Sequence, residues 1–180
     1  MKKTVLTLSV VMAMIIGLSS CEKVKDALFP GFETNLADFE ITVPVIVNTD
    51  VENSLGSTVI DFNLDSIMRA NTSGKFGVDN LGSVKVKVIE VEVLNGDGQN
   101  NISNFETLKM TLASDQFSSP VTLINLTIPD VDQKLVINGN DTELKTYLKG
   151  SELTYSLSGK ARRETSKELQ LAVTVTLLVK

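Results

Sequence analysis

The sequence predicts an all-β fold, an antiparallel β-sandwich of about seven to eight strands with two short helices. Apolar and polar residues alternate with a period of two in many short segments, which is typical of half-buried strands. Turn-forming residues separate these segments. No segment alternates a strand with a long helix, so a parallel α/β fold is disfavoured. A chain of 180 residues that is 42% apolar is sufficient for one domain with a hydrophobic core.

The predicted strands follow this alternation along the chain. They cover residues 41–47, 60–64, 84–94, 108–112, 124–128, 153–157 and 169–177, and residues 135–138 form an optional eighth. Pro44 cannot donate a hydrogen bond to a neighbouring strand, so the first strand is expected at a sheet edge. The last strand shows the clearest alternation, with five aliphatic residues on one face.

The strand over residues 84–94 changes its pattern halfway. The apolar residues lie at even positions from Val84 to Val88 and at odd positions from Ile89 to Val93. A slip of one residue turns the buried face outward unless the backbone absorbs it. We therefore predict a β-bulge near residues 88–89, or else a strand that is buried on both faces at one end.

Two short helices are expected between the strands. Asp65 or Ser66 is expected to cap a helix over residues 67–71. Residues 140–143 resemble a capping box ahead of a second helix, which Gly150 would end.

Composition excludes several kinds of chemistry. The chain has a net charge of -5, so it lacks the basic surface that binds a nucleic acid backbone. It has no histidine, and Cys21 is its one cysteine, which removes Ser-His-Asp triads and thiolate metal cages. Glu90 and Glu92 share a strand face and are a weak candidate for a pair of glycosidase carboxylates. Because charges of both signs surround them, we expect a solvated face, no enzyme activity and no cofactor.

The N-terminus has the pattern of an export signal. Lys2 and Lys3 precede an apolar run over residues 5–18. A helix of that length spans about 21 Å, whereas the hydrocarbon core of a bilayer is about 30 Å thick. The run is therefore too short to span the hydrocarbon core as a transmembrane helix.

The run ends in Leu18-Ser19-Ser20-Cys21, which resembles the lipobox of bacterial lipoproteins. The resemblance implies that residues 1–20 are a signal peptide and that Cys21 becomes the acylated first residue, with membrane lipid as its partner. Glu22 in place of Asp implies sorting to the outer membrane. The alternative is an ordinary secretory signal with a chance cysteine. If the lipobox is functional, residues 21–35 are a lipidated tether, and residues 36–180 form the β domain. Such a domain loosely resembles immunoglobulin-like sandwich lipoproteins of Gram-negative bacteria, without the Cys…Trp…Cys signature of true immunoglobulin domains.

One polar stretch, residues 95–106, resembles an EF-hand calcium loop. Its candidate oxygen ligands are Asn95, Asp97, Gln99, Asn101 and Glu106. The alternative is a polar loop between two strands, in which glycines supply the turns.

Two further features leave the function open. Residues 160–163 form a basic cluster, expected to be the turn of the final hairpin or else a contact for an anionic partner. Phe32, Phe76, Phe105 and Phe117 are not assigned to the core by parity. The sequence therefore predicts a non-enzymatic envelope lipoprotein that acts as a structural, accessory or protein-interaction module. The alternative is a lipoprotein that binds a glycan or a small hydrophobic ligand.

Overall fold

The computed structural model describes residue 29 and residues 31–132 and 134–180. The predicted signal peptide and Cys21 lie outside the described residues. The strands are β1 (Phe32–Val43), β2 (Glu52–Asp61), β3 (Val84–Val93), β4 (Thr107–Ser114), β5 (Val121–Thr127), β6 (Leu135–Asn138), β7 (Glu152–Lys160) and β8 (Leu169–Val179). The helical elements are the α-helix α1 (Leu64–Asn71) and three single 3₁₀ turns, Val78–Asn80, Ile102–Asn104 and Tyr147–Lys149.

The strands form two four-stranded antiparallel sheets. One sheet has the order β1-β8-β3-β6 and the other has the order β2-β7-β4-β5. Except for β4 and β5, strands that follow each other among the described residues lie in different sheets. This is the strand order of a jelly roll. The prediction of a mostly antiparallel β fold is confirmed, but the strand order differs from that of an immunoglobulin domain.

The apolar faces of both sheets contribute to one core. The predicted buried face of the last strand is confirmed, because it is fully covered along the whole of β8. The buried residues of this face are Leu169, Leu171, Val173, Val175, Leu177 and Val179.

The predicted bulge in β3 is confirmed. The pairing of β3 with β8 shifts register between Val86 and Val88. Val84 and Val86 are buried before the shift, and Ile89 and Val91 are buried after it. The extra residue thus keeps the core side apolar on both halves of the strand.

The first strand lies at a sheet edge, as predicted, but its bounds differ from the prediction. It begins at Phe32, inside the predicted tether, and ends at Val43, directly before Pro44. The prediction that this strand continues to residue 47 is wrong. Ile46 instead binds a different loop: its N–H donates to the hydroxyl of Thr165 at 2.9 Å, and its carbonyl accepts from the Thr165 N–H at 3.0 Å.

The two predicted helices have different outcomes. The first is confirmed as α1, but Asn63 caps it, since its side chain accepts from the Ser66 N–H at 2.8 Å. The prediction of a second helix after residues 140–143 is wrong. The carboxylate of Glu143 accepts instead from the Val84 N–H at 2.8 Å, so this segment runs along the start of β3. A single 3₁₀ turn is all that forms near Gly150.

Strand direction gives the domain two distinct ends. Phe32 pairs with Val179 at one end of β1, and Val43 pairs with Leu169 at the other. We call the end at Phe32 the near end, because the N-terminal segment enters there, and the end at Val43 the far end. Twelve residues of strand separate them by about 36 Å. The far end carries the connections 44–51, 94–106, 128–134 and 161–168. The near end carries residue 29, α1 and the connections 62–83, 115–120 and 139–151.

No helix within the described part of the chain has the length and apolar character needed to cross a membrane.

Among the described residues, one buried side-chain polar atom has no hydrogen-bond partner. The Tyr155 hydroxyl is fully buried and makes no hydrogen bond with any described residue. Its ring lies against Phe39, with centroids 4.6 Å apart. Burial raises the pKa of this phenol, so the group stays neutral.

Tyr155→Phe is therefore expected to raise the free energy of unfolding by about 1 kcal/mol, because it removes a buried hydroxyl that has lost its water. Urea denaturation of both proteins measures this difference. The matched control is Tyr147→Phe, which removes a hydroxyl that donates to the Ser119 carbonyl at 3.1 Å and should not stabilise the protein. Destabilisation by Tyr155→Phe would show that the hydroxyl has a partner.

Candidate functional site

The loops at the far end are held together by buried polar side chains. Five of the six buried polar residues of the described chain lie in these loops. They are Asn100, Asn101, Ser103, Asn104 and Thr165. Polar groups are buried in this way only when hydrogen bonds replace their contacts with water, so these loops have a defined conformation.

Asn104 is the central residue of this network and is 1% exposed. Its side-chain amide donates to the carbonyls of Gln99 at 3.0 Å and Glu164 at 2.9 Å. Its side-chain oxygen accepts from the Asn101 N–H at 3.0 Å. One side chain thus joins the β3–β4 connection to the β7–β8 connection.

The basic cluster at residues 160–163 lies in the same network. Arg162 donates to the carbonyls of Ser103 at 2.9 Å and Ile128 at 2.7 Å. Arg163 donates to Asp130 at 2.7 Å. The prediction of a hairpin turn is wrong, because β7 and β8 lie in different sheets. The cluster instead links three connections, and its contact with an anionic partner stays a prediction.

The candidate calcium residues lie at the far end, but the side-chain oxygens of four of them already bind other groups of the protein. Asn95 accepts from the Gln170 N–H at 2.9 Å on β8. Asn101 accepts from the Ser103 N–H at 3.0 Å and so caps a 3₁₀ turn. Glu106 forms an ion pair with a β7 lysine at 3.1 Å.

Asp97 and Gln99 complete this set. The Asp97 carboxylate pairs with Lys167 at 2.7 Å and accepts from the Gln99 N–H at 2.8 Å. In the described residues no three Asp, Glu, His or Cys side chains are grouped as metal ligands. The oxygens of Asp97 therefore hold the loop, and calcium binding stays a prediction.

Acid should loosen this loop through Asp97. The hydrogen bond from Lys167, followed by those from the Gln99 N–H and from Asn100, lowers the pKa of Asp97 below its usual value. A carboxyl whose pKa is lowered on folding stabilises the protein above the unfolded pKa of about 3.9. That contribution is lost progressively as the pH falls below this value towards the lower pKa of the folded state. Asp97→Asn is thus expected to lower Tm at pH 7 and to leave a smaller difference at pH 3. Thermal unfolding at both values measures it, and an equal difference at both would contradict the assignment.

The far end also exposes aliphatic side chains around this network. Val47 is 72% exposed, although its neighbour Ile46 is buried. The other exposed aliphatic residues of these connections are Val45, Val51, Leu94 and Val131. The far end therefore combines ordered backbone with exposed aliphatic side chains.

The near end carries a pocket of about 410 Å³ with aromatic walls. Its lining residues are Phe29, Gly31, Phe32, Asn71, Thr72, Lys75 and Phe76. The ring of Phe29 meets Phe32 at 6.1 Å and Phe76 at 5.2 Å between centroids, both edge to face. The Thr72 hydroxyl donates to the Met68 carbonyl at 2.7 Å and accepts from the Phe76 N–H at 3.2 Å, which fixes Phe76 beside α1.

The four unassigned phenylalanines therefore separate into three settings. Phe32 and Phe76 line the pocket, Phe105 is fully buried in the core, and Phe117 is 42% exposed. Phe117 lies against Tyr147, with centroids 5.8 Å apart. Phe29 also lines the pocket, but no sequence pattern points to it, because it lies outside the alternating segments.

One carboxylate of the candidate Glu90–Glu92 pair binds a lysine. Glu90 forms an ion pair with Lys134 at 2.7 Å, and Glu92 lies exposed on the same strand. Glu90 is thus paired with a basic side chain at the surface.

Comparisons with solved structures return β proteins of low identity. The family 32 carbohydrate-binding module of C. perfringens NanJ, solved with galactose, has a TM-score of 0.40 and 9% identity, over 81% of this chain and 99% of that one. CpGH89CBM32-5 from Clostridium perfringens, solved with GalNAc-β-1,3-galactose, has a TM-score of 0.38 and 8% identity, over 79% and 99%. A structure of infectious bursal disease virus, Gx strain, has a TM-score of 0.34 and 11% identity, over 83% of this chain but 31% of that one. At these TM-scores and sequence identities, the similarities do not indicate a ligand for this chain. No protein-family model and no curated protein matches the sequence.

Proposed function

We propose that this chain is a lipid-anchored, non-enzymatic module of the cell envelope that presents its far-end loops to a protein partner. The observation that carries the proposal is the direction of β1. The chain comes from Cys21 to the near end, whereas the network of buried polar groups lies at the other end of the strands. A domain held at a membrane through Cys21 would thus direct these hydrogen-bonded loops away from the lipid.

The chemistry of the far end suits a protein surface. Protein interfaces combine an apolar centre with hydrogen-bonded polar groups, and they bind with less loss of entropy when their loops are already ordered. Val47 and Val131 supply exposed apolar area, and Asn104 orders the loops between them. Arg163 is half-exposed beside Asp130 and provides charge at the rim.

Site-specific photo-crosslinking in intact cells tests the partner surface. A photoreactive residue at position 47 or 131 is expected to give a discrete protein adduct. The matched controls are Val59 and Val136, which are 58% and 63% exposed on β2 and β6, away from the far end. Adducts from the controls and none from positions 47 and 131 would place the contact on the sheets and refute the proposal.

The anchor is tested separately, by growth with an alkyne fatty acid. The protein is expected to carry the label and to sediment with membranes, since two or three acyl chains anchor stably where one does not. Cys21→Ser is expected to lose both the label and the membrane fraction. An unlabelled wild-type chain, or a mutant that stays on membranes, would contradict lipidation.

A second function, binding of a small hydrophobic ligand, is favoured by the near-end pocket. Its volume of about 410 Å³ is within the range of ligand sites. The rings meet edge to face, so they form a cleft and not the flat platform on which a sugar stacks. Fluorescence titration with N-phenyl-1-naphthylamine tests it: Phe76→Ser is expected to weaken binding, and Phe117→Ser is the control. Equal binding by both variants would exclude the pocket as the site.

A further inference from the structure

The aromatic side chains of this protein are distributed unevenly. All seven phenylalanines and both tyrosines lie in residues 29–180. Four are buried: Phe39, Phe62, Phe105 and Tyr155. The remaining five retain exposed surface: Phe29, Phe32, Phe76, Phe117 and Tyr147. All five lie at the near end, whereas the described residues of the far end expose only aliphatic side chains among their large apolar groups.

Partly exposed aromatic rings at one end of a domain have a characteristic partner. Tyr rings concentrate at the boundary between water and lipid, and Phe rings are among the apolar side chains that insert at the boundary between headgroups and acyl chains. The Tyr147 hydroxyl adds a polar tip, which suits the headgroup level. These five side chains derive from four separate segments, so it is the fold that gathers them at one end.

The length of the chain places this end near the bilayer. Eight residue steps separate Cys21 from Phe29, and a fully extended chain covers at most about 28 Å in that distance. The far end is a further strand length away. An acylated Cys21 would therefore keep the near end within reach of the lipid surface and the far end out of reach.

We propose that the near end rests in the interface of the same bilayer that holds Cys21, with the aromatic side chains of Phe29, Phe32, Phe76, Phe117 and Tyr147 in contact with lipid. This inference rests on the proposed lipid anchor. It adds an orientation, because a domain that contacts the bilayer through its near end holds its far-end loops outward instead of tumbling on its tether.

Charge does not drive this contact. Lys75 and Lys149 are exposed at the near end, but so are Asp61, Asp79 and Glu152. Attraction to anionic headgroups is thus offset by repulsion, and the apolar contact should persist in high salt.

The absence of tryptophan makes a direct test possible. Phe76→Trp and Phe117→Trp each introduce a single tryptophan at the near end of the full mature lipoprotein. Val47→Trp and Val131→Trp are the matched far-end controls. Each lipidated protein is reconstituted into vesicles of phosphatidylcholine with dibrominated acyl chains. The near-end tryptophans are expected to lose about half of their emission and to shift to shorter wavelength, because an interfacial side chain lies about 5–10 Å below the headgroup surface.

Co-sedimentation with the vesicles separates the possible results. A protein that does not co-sediment shows that the anchor itself fails. Co-sedimentation with equal emission from near-end and far-end reporters shows that the anchor holds and that the near end does not touch lipid, which overturns the inference. A shift that depends on protein concentration in the absence of lipid assigns the aromatic end to a second copy of the chain, and this also overturns it. Quenching of Phe76→Trp and Phe117→Trp alone, unchanged in 0.5 M salt (about a 4 Å Debye length), supports it.

Discussion

The Phe105→Ala variant is expected to lose about 3–5 kcal/mol of its free energy of unfolding, since it empties a fully buried aromatic site. Phe105 lies where the β3–β4 connection enters β4, and its backbone forms an isolated bridge with Ala161. Its side chain thus fixes the connection that carries Asn104 to the core. We expect amide exchange to rise first in residues 94–106 and 161–168 and later in the sheets.

Phe117→Ala is the matched control for this variant. Phe117 is 42% exposed and contacts Tyr147, so its loss should cost about 1 kcal/mol or less. Chemical denaturation with hydrogen exchange measures both. A similar cost for the two variants would mean that Phe105 does not support the far end.

The Asn104→Ala variant is expected to lose about 2–4 kcal/mol, because it leaves one buried N–H and two partly buried carbonyls without their hydrogen-bond partner. The same variant should weaken the photo-crosslink at position 47, since it removes one link between the β3–β4 connection and the β7–β8 connection, and Thr165 of the latter holds Ile46. A weaker crosslink in a variant that still folds would show that the partner contact needs the ordered loops and not only a stable core.

Asn125→Ala provides the comparison at an exposed position of β5. Surface substitutions of this kind change stability by about 0.5 kcal/mol or less. If Asn104→Ala were equally mild, the buried network would not be what holds the loops.

The strand pattern was predictable because burial on one face imposes a period of two. The five buried residues from Leu169 to Leu177 and the bulge in β3 both follow from it. β2 was mostly missed, because its first half is Glu52-Asn53-Ser54-Leu55-Gly56, where Leu55 alone is apolar and buried. At such an edge strand, backbone pairing with β7 supplies what the side chains do not show.

The pairing of sheets was not predictable from the pattern. Alternation identifies a buried face but not the sheet to which a strand belongs, so residues 160–163 were mistaken for a hairpin turn. The failed second helix has a similar cause: Glu143 fits a capping box locally, yet it binds the Val84 N–H, which lies 59 residues away. The near-end pocket was predictable only in part. The alternation does not assign Phe32 and Phe76 to the core, which marks them as candidates, whereas only the fold brings Phe29 to them.

Mass spectrometry of the N-terminal peptide from the natural protein tests the central claim of membrane anchoring most directly. The expected peptide begins at Cys21 and carries a diacylglyceryl group on its sulfur. A peptide that retains residues 1–20, or one that begins at Cys21 with a free thiol, would contradict it.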